Sequence, residues 1–359
     1  MKFLVAISSL ALLARAASVD LSARDTPLVV RLEESGNSGI KGYLTNAGKE
    51  AVKLLTLGTF LDDRPVEKVE VFSGVGSSDS KVAFDGIRLN MCTHYLQEDA
   101  FRVINAGETV EVDFDAGELH DLSPGGTFDV QTNGAFSTAT LNSTVISGAL
   151  PYSSNVLSTV VDGSEAAAVH HTFQSKAKRT DLAGDCTGTR RAVTTTAIKN
   201  CAKLATAAKT AAQNTNQSSK SRLQKYFKSS SARVSKQVST VFGRIEKECS
   251  STTSGVSSYH CTDVYNACRT GVIAYTLPSQ SFMVNCRIFF DQMPPTDKRC
   301  HAQDQQTTIL HEMTHLTEIA GTEDYGGYGF DFIRSLTPAQ NLNHADTYTI
   351  FAQSIFARC

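Results

Sequence analysis

The sequence predicts an α+β chain in two parts: a β-rich, sandwich-like N-terminal part, then a mainly helical part carrying one β-hairpin. Three observations predict it. The hydrophobic pattern changes near the midpoint from short β-branched runs to long helical faces. Eight of the nine cysteines lie in the second part. Charge changes sign as well: from Thr180 onward there are 19 Lys+Arg and 14 Asp+Glu, leaving 15 and 22 of the totals 34 and 36 for the first part. Neither part has the dense basic run of a nucleic-acid binder.

The elements follow in order. Met1-Lys2, the apolar run Phe3 to Leu13 and the small residues of Ala14-Arg15-Ala16 read as a secretory signal, residues 1–16, cut after Ala16. The run is too short to span a membrane, and no later stretch is long and apolar enough, so an extracellular protein is expected. Residues 17–179 hold short strands such as Val29-Val30-Arg31-Leu32, Val69-Glu70-Val71-Phe72 and Thr109 to Phe114, separated by Gly, Asn and Asp clusters. Lys178-Arg179 follows a polar stretch, Gln174 to Ala177, expected to be exposed. A dibasic pair there suggests proteolytic processing of a propeptide, with residues 180–359 as the second domain. Asn142 and Asn216 each begin an N-glycosylation sequon.

Beyond Thr180, Arg191 to Gln213 and Ser221 to Lys247 read as two helices of an antiparallel hairpin, which Cys201 and Cys249 are placed to staple. Gly271 to Tyr275 and Phe282 to Phe290 read as two strands joined around Pro278. Helices are expected over Thr307 to Ala320, with Gly321 as a stop, and from Thr337-Pro338 to Cys359. The even cysteine number of this part implies up to four disulfides.

The chemistry is carried by His311-Glu312-Met313-Thr314-His315. Two histidines four positions apart on a helix point the same way and reach one metal ion, and the glutamate between them is a general base for water. A third protein ligand is needed. The positions that would complete HExxHxxGxxH are Glu318 and Gly321, and no glutamate follows Glu323, so neither of two common zinc-peptidase patterns fits. The remaining candidates are Asp324, Asp331, His344 and Asp346. Asp324 stands out because Gly321-Thr322-Glu323-Asp324 is a tight turn that brings a carboxylate back toward the helix.

HEMTH, then GTED, then Tyr328-Gly329, with Ala345-Asp346-Thr347-Tyr348 further on, resembles the deuterolysin or aspzincin family of fungal secreted zinc metalloendopeptidases. The signal, leader and dibasic layout fits that family. The resemblance implies a monomeric, zincin-like catalytic domain with one Zn2+ that acts on proteins or peptides, made as a precursor held inactive by its own propeptide. It implies His311, His315 and Asp324 as zinc ligands, Glu312 as base and Tyr328 as the residue that steadies the oxyanion. Three residues rather than two separate Asp324 from Tyr328, which makes Tyr325 a rival. Asp346 would favour basic side chains just after the scissile bond. The family's disulfides imply Cys186–Cys261, Cys268–Cys286 and Cys300–Cys359, with Cys201–Cys249 as the remaining pair. Cys92 suggests a latency switch in which its thiolate reaches the metal. The rival function class, a non-catalytic secreted zinc-binding protein, would need the loss of Glu312, a ligand or the open metal position.

Overall fold

The computed structural model describes residues 26–74, 76, 80–178 and 185–359. The signal peptide, its Ala16 boundary and Arg179 lie outside the described residues.

The first part forms β1 (Leu28–Glu34), β2 (Gly39–Asn46), β3 (Val52–Leu55), β4 (Glu70–Ser73), β5 (Arg88–Met91), β6 (Phe101–Ile104) and β7 (Thr109–Asp115). Helix α1 (Ala116–Leu119) then leads to β8 (Gly126–Gln131), β9 (Asn133–Ala139), β10 (Ile146–Ser153) and β11 (Leu157–Val161). Alternation sets the strand faces: in β1, Leu28, Val30 and Leu32 are buried while Val29 and Arg31 are exposed. All of these strands but β5 fall into three small sheets, β1-β2-β7, β10-β9-β3-β6 and β11-β8-β4. One core that includes Leu44, Leu54, Val71, Val130 and Phe136 unites them.

Residues before the dibasic pair differ from expectation. Helix α2 (Gly163–Lys178) runs up to Lys178, favoured by its alanine run. It is not a free linker: Phe173 packs on Tyr265 at 5.2 Å, and Gln174 shares a hydrogen bond with Gln280.

The second part is mainly helical: α3 (Gly188–Gln213), α4 (Gln217–Phe227), α5 (Ala232–Cys249), α6 (Arg287–Asp291), α7 (Gln305–His315), α8 (Gly329–Ser335), α9 (Pro338–Leu342) and α10 (Ala345–Ala357). Its strands are β12 (Ser258–His260), β13 (Val272–Leu277) and β14 (Phe282–Asn285). The expected second helix is broken into α4 and α5. Lys228 ends α4 in the left-handed conformation, and Ser231 caps α5 by accepting from the Val234 N–H. Asn216 is exposed and caps α4, and Asn142 lies exposed on a turn. The hairpin strand after Pro278 stops at Asn285, because Cys286 opens α6. The last helix is interrupted at Asn343-His344, for a reason that the site makes plain.

Helices α3, α5, α7 and α10 share a core containing Leu204, Phe242, Leu310, Met313 and Phe351. Cys186–Cys261, Cys268–Cys286 and Cys300–Cys359 are bonded. Cys201 and Cys249 are buried free thiols that face one another, so the expected fourth bond is not formed here.

One strand of the first part leaves its own sheets. β5 pairs antiparallel with β13 and completes the sheet β12-β14-β13-β5 against α7.

Candidate active site

Helix α7 starts from a capping box: Asp304 accepts from the Thr307 N–H, and the Thr307 hydroxyl accepts from the Asp304 N–H. Every α7 residue is buried, including both histidines and Glu312. The helix ends at His315, earlier than the periodicity suggests. Gly321 adopts φ +60°, a left-handed conformation that glycine takes without strain, and the chain doubles back. The Thr322 N–H then donates to the Thr314 carbonyl (3.1 Å), which carries Asp324 to the face that holds the histidines.

Three side chains converge there. His311 Nε2 and His315 Nε2 are 3.1 Å apart. Asp324 Oδ1 lies 3.3 Å from His311 Nε2, and Oδ2 lies 3.4 Å from His315 Nε2. The far side of each ring is anchored. His315 Nδ1 lies 2.8 Å from the Thr322 carbonyl, and His311 Nδ1 lies 3.2 Å from Asp346 Oδ1. Such anchoring fixes which nitrogen faces the centre.

The electrostatics match a cation. Burial pushes His311 down, yet Asp324 and Asp346 outweigh it and hold its proton affinity well above the usual histidine range. His315 is pushed down to about 3 by burial and by His311. The Asp324 carboxyl, despite burial, is held below the usual range by the two imidazoles. Asp324 Oδ1 and Glu312 Oε1 are buried without a hydrogen-bond partner. A buried carboxylate oxygen left unpaired beside two imidazole nitrogens is what a bound metal ion would satisfy. The donor set therefore fits zinc.

Glu312 is fixed on its other oxygen: the Thr276 hydroxyl of β13 donates to Oε2 at 2.5 Å. Burial raises its carboxyl to about 7, against the pull of His311, Thr276 and the Asn90 side chain. Thr276 is a residue the sequence reading missed. Its signal is faint, a single polar position in the buried strand Val272-Ile273-Ala274-Tyr275-Thr276-Leu277.

The two candidate tyrosines part company. The Tyr328 ring stacks 6.2 Å from His311, and its hydroxyl donates to the Leu89 carbonyl at 2.8 Å. The Tyr325 hydroxyl instead accepts from Asn343 Nδ2, and its ring stacks on His344. The extra residue in Tyr325-Gly326-Gly327 wraps around His344, whose Nε2 lies 3.0 and 3.2 Å from the Asp324 and Gly327 carbonyls. This loop also accounts for the interrupted last helix: the break at His344 starts α10 so that Asp346 reaches His311.

Asp346 was expected to meet a substrate's basic side chain. Both of its oxygens are engaged, one with His311 Nδ1 and the other with the Gly329 N–H (2.7 Å). Its position is behind the histidine. Asp331 is exposed and pairs with Arg334, away from the trio. Cys92 is buried in the same apolar core as Ile273 and Met283. Among the described residues, its sulfur is in neither of the two groups whose ligand atoms lie within 4.8 Å of one another, His311, His315 and Asp324 being one and Cys300, His301 and Cys359 the other. That placement removes the basis for a thiolate switch.

A helix that brings two imidazoles and a nearby carboxylate to one point, with a glutamate beside them, is the arrangement of a metal-dependent peptidase. Known proteins place the chain more narrowly. It belongs to the deuterolysin metalloprotease (M35) family, whose model matches residues 1–359. It is 56% identical over 360 residues to a neutral protease 2 homolog of Colletotrichum graminicola, covering all of both chains. It is 36% identical over 352 residues to neutral protease 2 of Aspergillus oryzae, covering 97% of each. A solved zinc peptidase from Grifola frondosa is 23% identical and superposes with a TM-score of 0.40, covering 47% of this chain and 97% of that one. The protein is a zinc metalloendopeptidase acting on proteins or peptides. No described helix is long and apolar enough to cross a membrane.

Proposed function

We propose that the chain is a secreted peptidase made as an inactive precursor, with one zinc held by His311, His315 and Asp324 and with Glu312 as general base. The observation that carries this reading is the convergence of three donor side chains within 3.4 Å beside an unpaired Glu312 oxygen. Three disulfides support an oxidising destination, as does the apolar run from Phe3 to Leu13. Exposure of Asn142 and Asn216 is compatible with glycans at both. Lys178 ends a docked helix, so processing at Lys178-Arg179 requires that helix end to fray.

Bound zinc would supply Lewis acidity, which polarises a carbonyl and acidifies water. The protein's own groups do the rest. Thr276 fixes Glu312 Oε2 and leaves Oε1 to take the proton of the attacking water. Glu312 then hands that proton to the leaving amine. Tyr328 donates its hydroxyl to the oxygen that gathers negative charge. A preference for basic residues after the scissile bond, which the family resemblance implies, needs a carboxylate other than Asp346.

The test is paired. Asp324→Ala should lower metal content from one zinc per chain to near none, read by elemental analysis. Glu312→Gln should keep the zinc and lower kcat/KM on a protein substrate by about 10³-fold. Undiminished digestion by Glu312→Gln would end this reading. A processed parent that binds zinc but digests nothing would favour a zinc-binding protein instead.

A further inference from the structure

We infer that the free edge of β13, together with Tyr328 and Gln303, is a track that binds an extended peptide by its backbone, and that residues 88–93 of this chain are its built-in occupant. The inference rests on the peptidase reading above and deepens it.

The pairing is specific. β5 runs antiparallel to β13 with Thr276 opposite Arg88, Tyr275 opposite Leu89 and Ala274 opposite Asn90. It continues past the strand, where the Cys92 N–H donates to the Gly271 carbonyl (2.7 Å). Without β5, β13 is an edge strand beside the helix that carries the metal-binding histidines, ready to pair with another extended chain.

Two side chains of the second part read this segment through its main chain. The Tyr328 hydroxyl donates to the Leu89 carbonyl. The Gln303 carboxamide donates to the Met91 carbonyl (2.6 Å) and accepts from the Thr93 N–H (3.1 Å). Backbone contacts of this kind suit any sequence, as a broadly acting endopeptidase requires. Tyr328 marks the reacting carbonyl, so the Leu89–Asn90 bond stands where a scissile bond would stand. Gln303 then grips a substrate two to four residues beyond that bond. Asn90 is 3% exposed and pairs opposite Ala274, two residues from the Thr276 that fixes Glu312, so the bond before it lies on the stretch of β13 nearest the base. The first part thus holds the peptidase shut by strand competition.

The test uses the full chain made uncleavable by Lys178→Ala and Arg179→Ala. This chain should be silent on a quenched peptide. Adding Leu89→Pro, which removes a strand N–H, should raise turnover at least tenfold, speed amide exchange over residues 272–277 and leave zinc content unchanged. In that opened chain, Gln303→Ala should raise KM about tenfold for peptides with four residues after the cleaved bond, with kcat unchanged. Peptides ending one residue after the bond should not respond. If Leu89→Pro disrupts folding, Gln303→Ala alone in the uncleavable chain serves instead, and faster exchange over residues 91–93 with leak turnover is expected. Faster exchange without turnover, or turnover blind to Gln303→Ala on long peptides, overturns the inference while an active processed parent leaves the peptidase reading standing. A processed parent that is itself inactive would sink that reading instead.

Discussion

The two walls of the candidate active site are built by different logics. One wall is local: His311, Glu312 and His315 share a single helix, and one glycine turn adds Asp324. The other wall is remote. It is β5, whose Leu89 carbonyl meets Tyr328 across a separation of 239 residues. The local wall encodes chemistry in spacing, since a helix fixes which side chains meet. The remote wall encodes access in backbone pairing, which leaves little trace in side-chain identity. Experiments that disturb one wall at a time break or sharpen this contrast.

Tyr328 touches both walls and gives the largest expected effect. Tyr328→Phe should lower kcat of the processed enzyme by about 10²-fold or more, because a donor to the developing oxyanion is lost. Tyr325→Phe should change kcat little, since that hydroxyl serves Asn343. Steady-state kinetics on one peptide decides between them, and a larger loss at Tyr325 would reverse the assignment.

Asp346 separates two roles within the local wall. Asp346→Asn weakens the support behind His311, and zinc should bind about 10–100-fold more weakly, measured by competition with a chelator. The ranking of basic against neutral residues after the scissile bond should not change. Unchanged zinc affinity with a lost basic preference would restore Asp346 as a substrate-facing carboxylate.

The same contrast explains what the sequence made legible. The histidine pair and Glu312 were readable because helical spacing is rigid, and Asp324 because a glycine turn follows the helix. Asp346 was visible as a residue, but its role depended on the break at His344, which no proline or glycine announces. The split between α4 and α5 was hidden because Lys228, not glycine, takes the left-handed turn. Arg88-Leu89-Asn90-Met91 does alternate polar and apolar residues, but over only four positions and without a β-branched residue, too short a run for β5 to be picked out. Cys201 and Cys249 were correctly neighbours on a hairpin, but adjacency alone did not make a bond in this structure.

The smallest expected effect concerns how the walls stay together. Around β5, Glu67 is hydrogen-bonded to Arg88, and Lys81 bridges Glu67, Glu70 and Glu323. Burial pushes the Glu67 carboxyl up, but Arg88, Lys81 and His120 outweigh it and hold it at about 2. A carboxyl depressed on folding stabilises above its unfolded value, near 4.5, and loses that contribution as pH falls toward 2. Glu323 is shifted the opposite way by burial and by Glu67, so its contribution changes at and above pH 4.5, outside that window. The hold of Glu67 on Arg88 of β5 and on Lys81, all within the first part, should therefore weaken between pH 4.5 and pH 2. In the uncleavable chain, amide exchange over residues 88–91 should accelerate in that interval, and Glu67→Gln should flatten the pH dependence. A profile that is flat in the parent would mean the strand is held by its backbone pairing alone, with the charged cluster contributing nothing measurable.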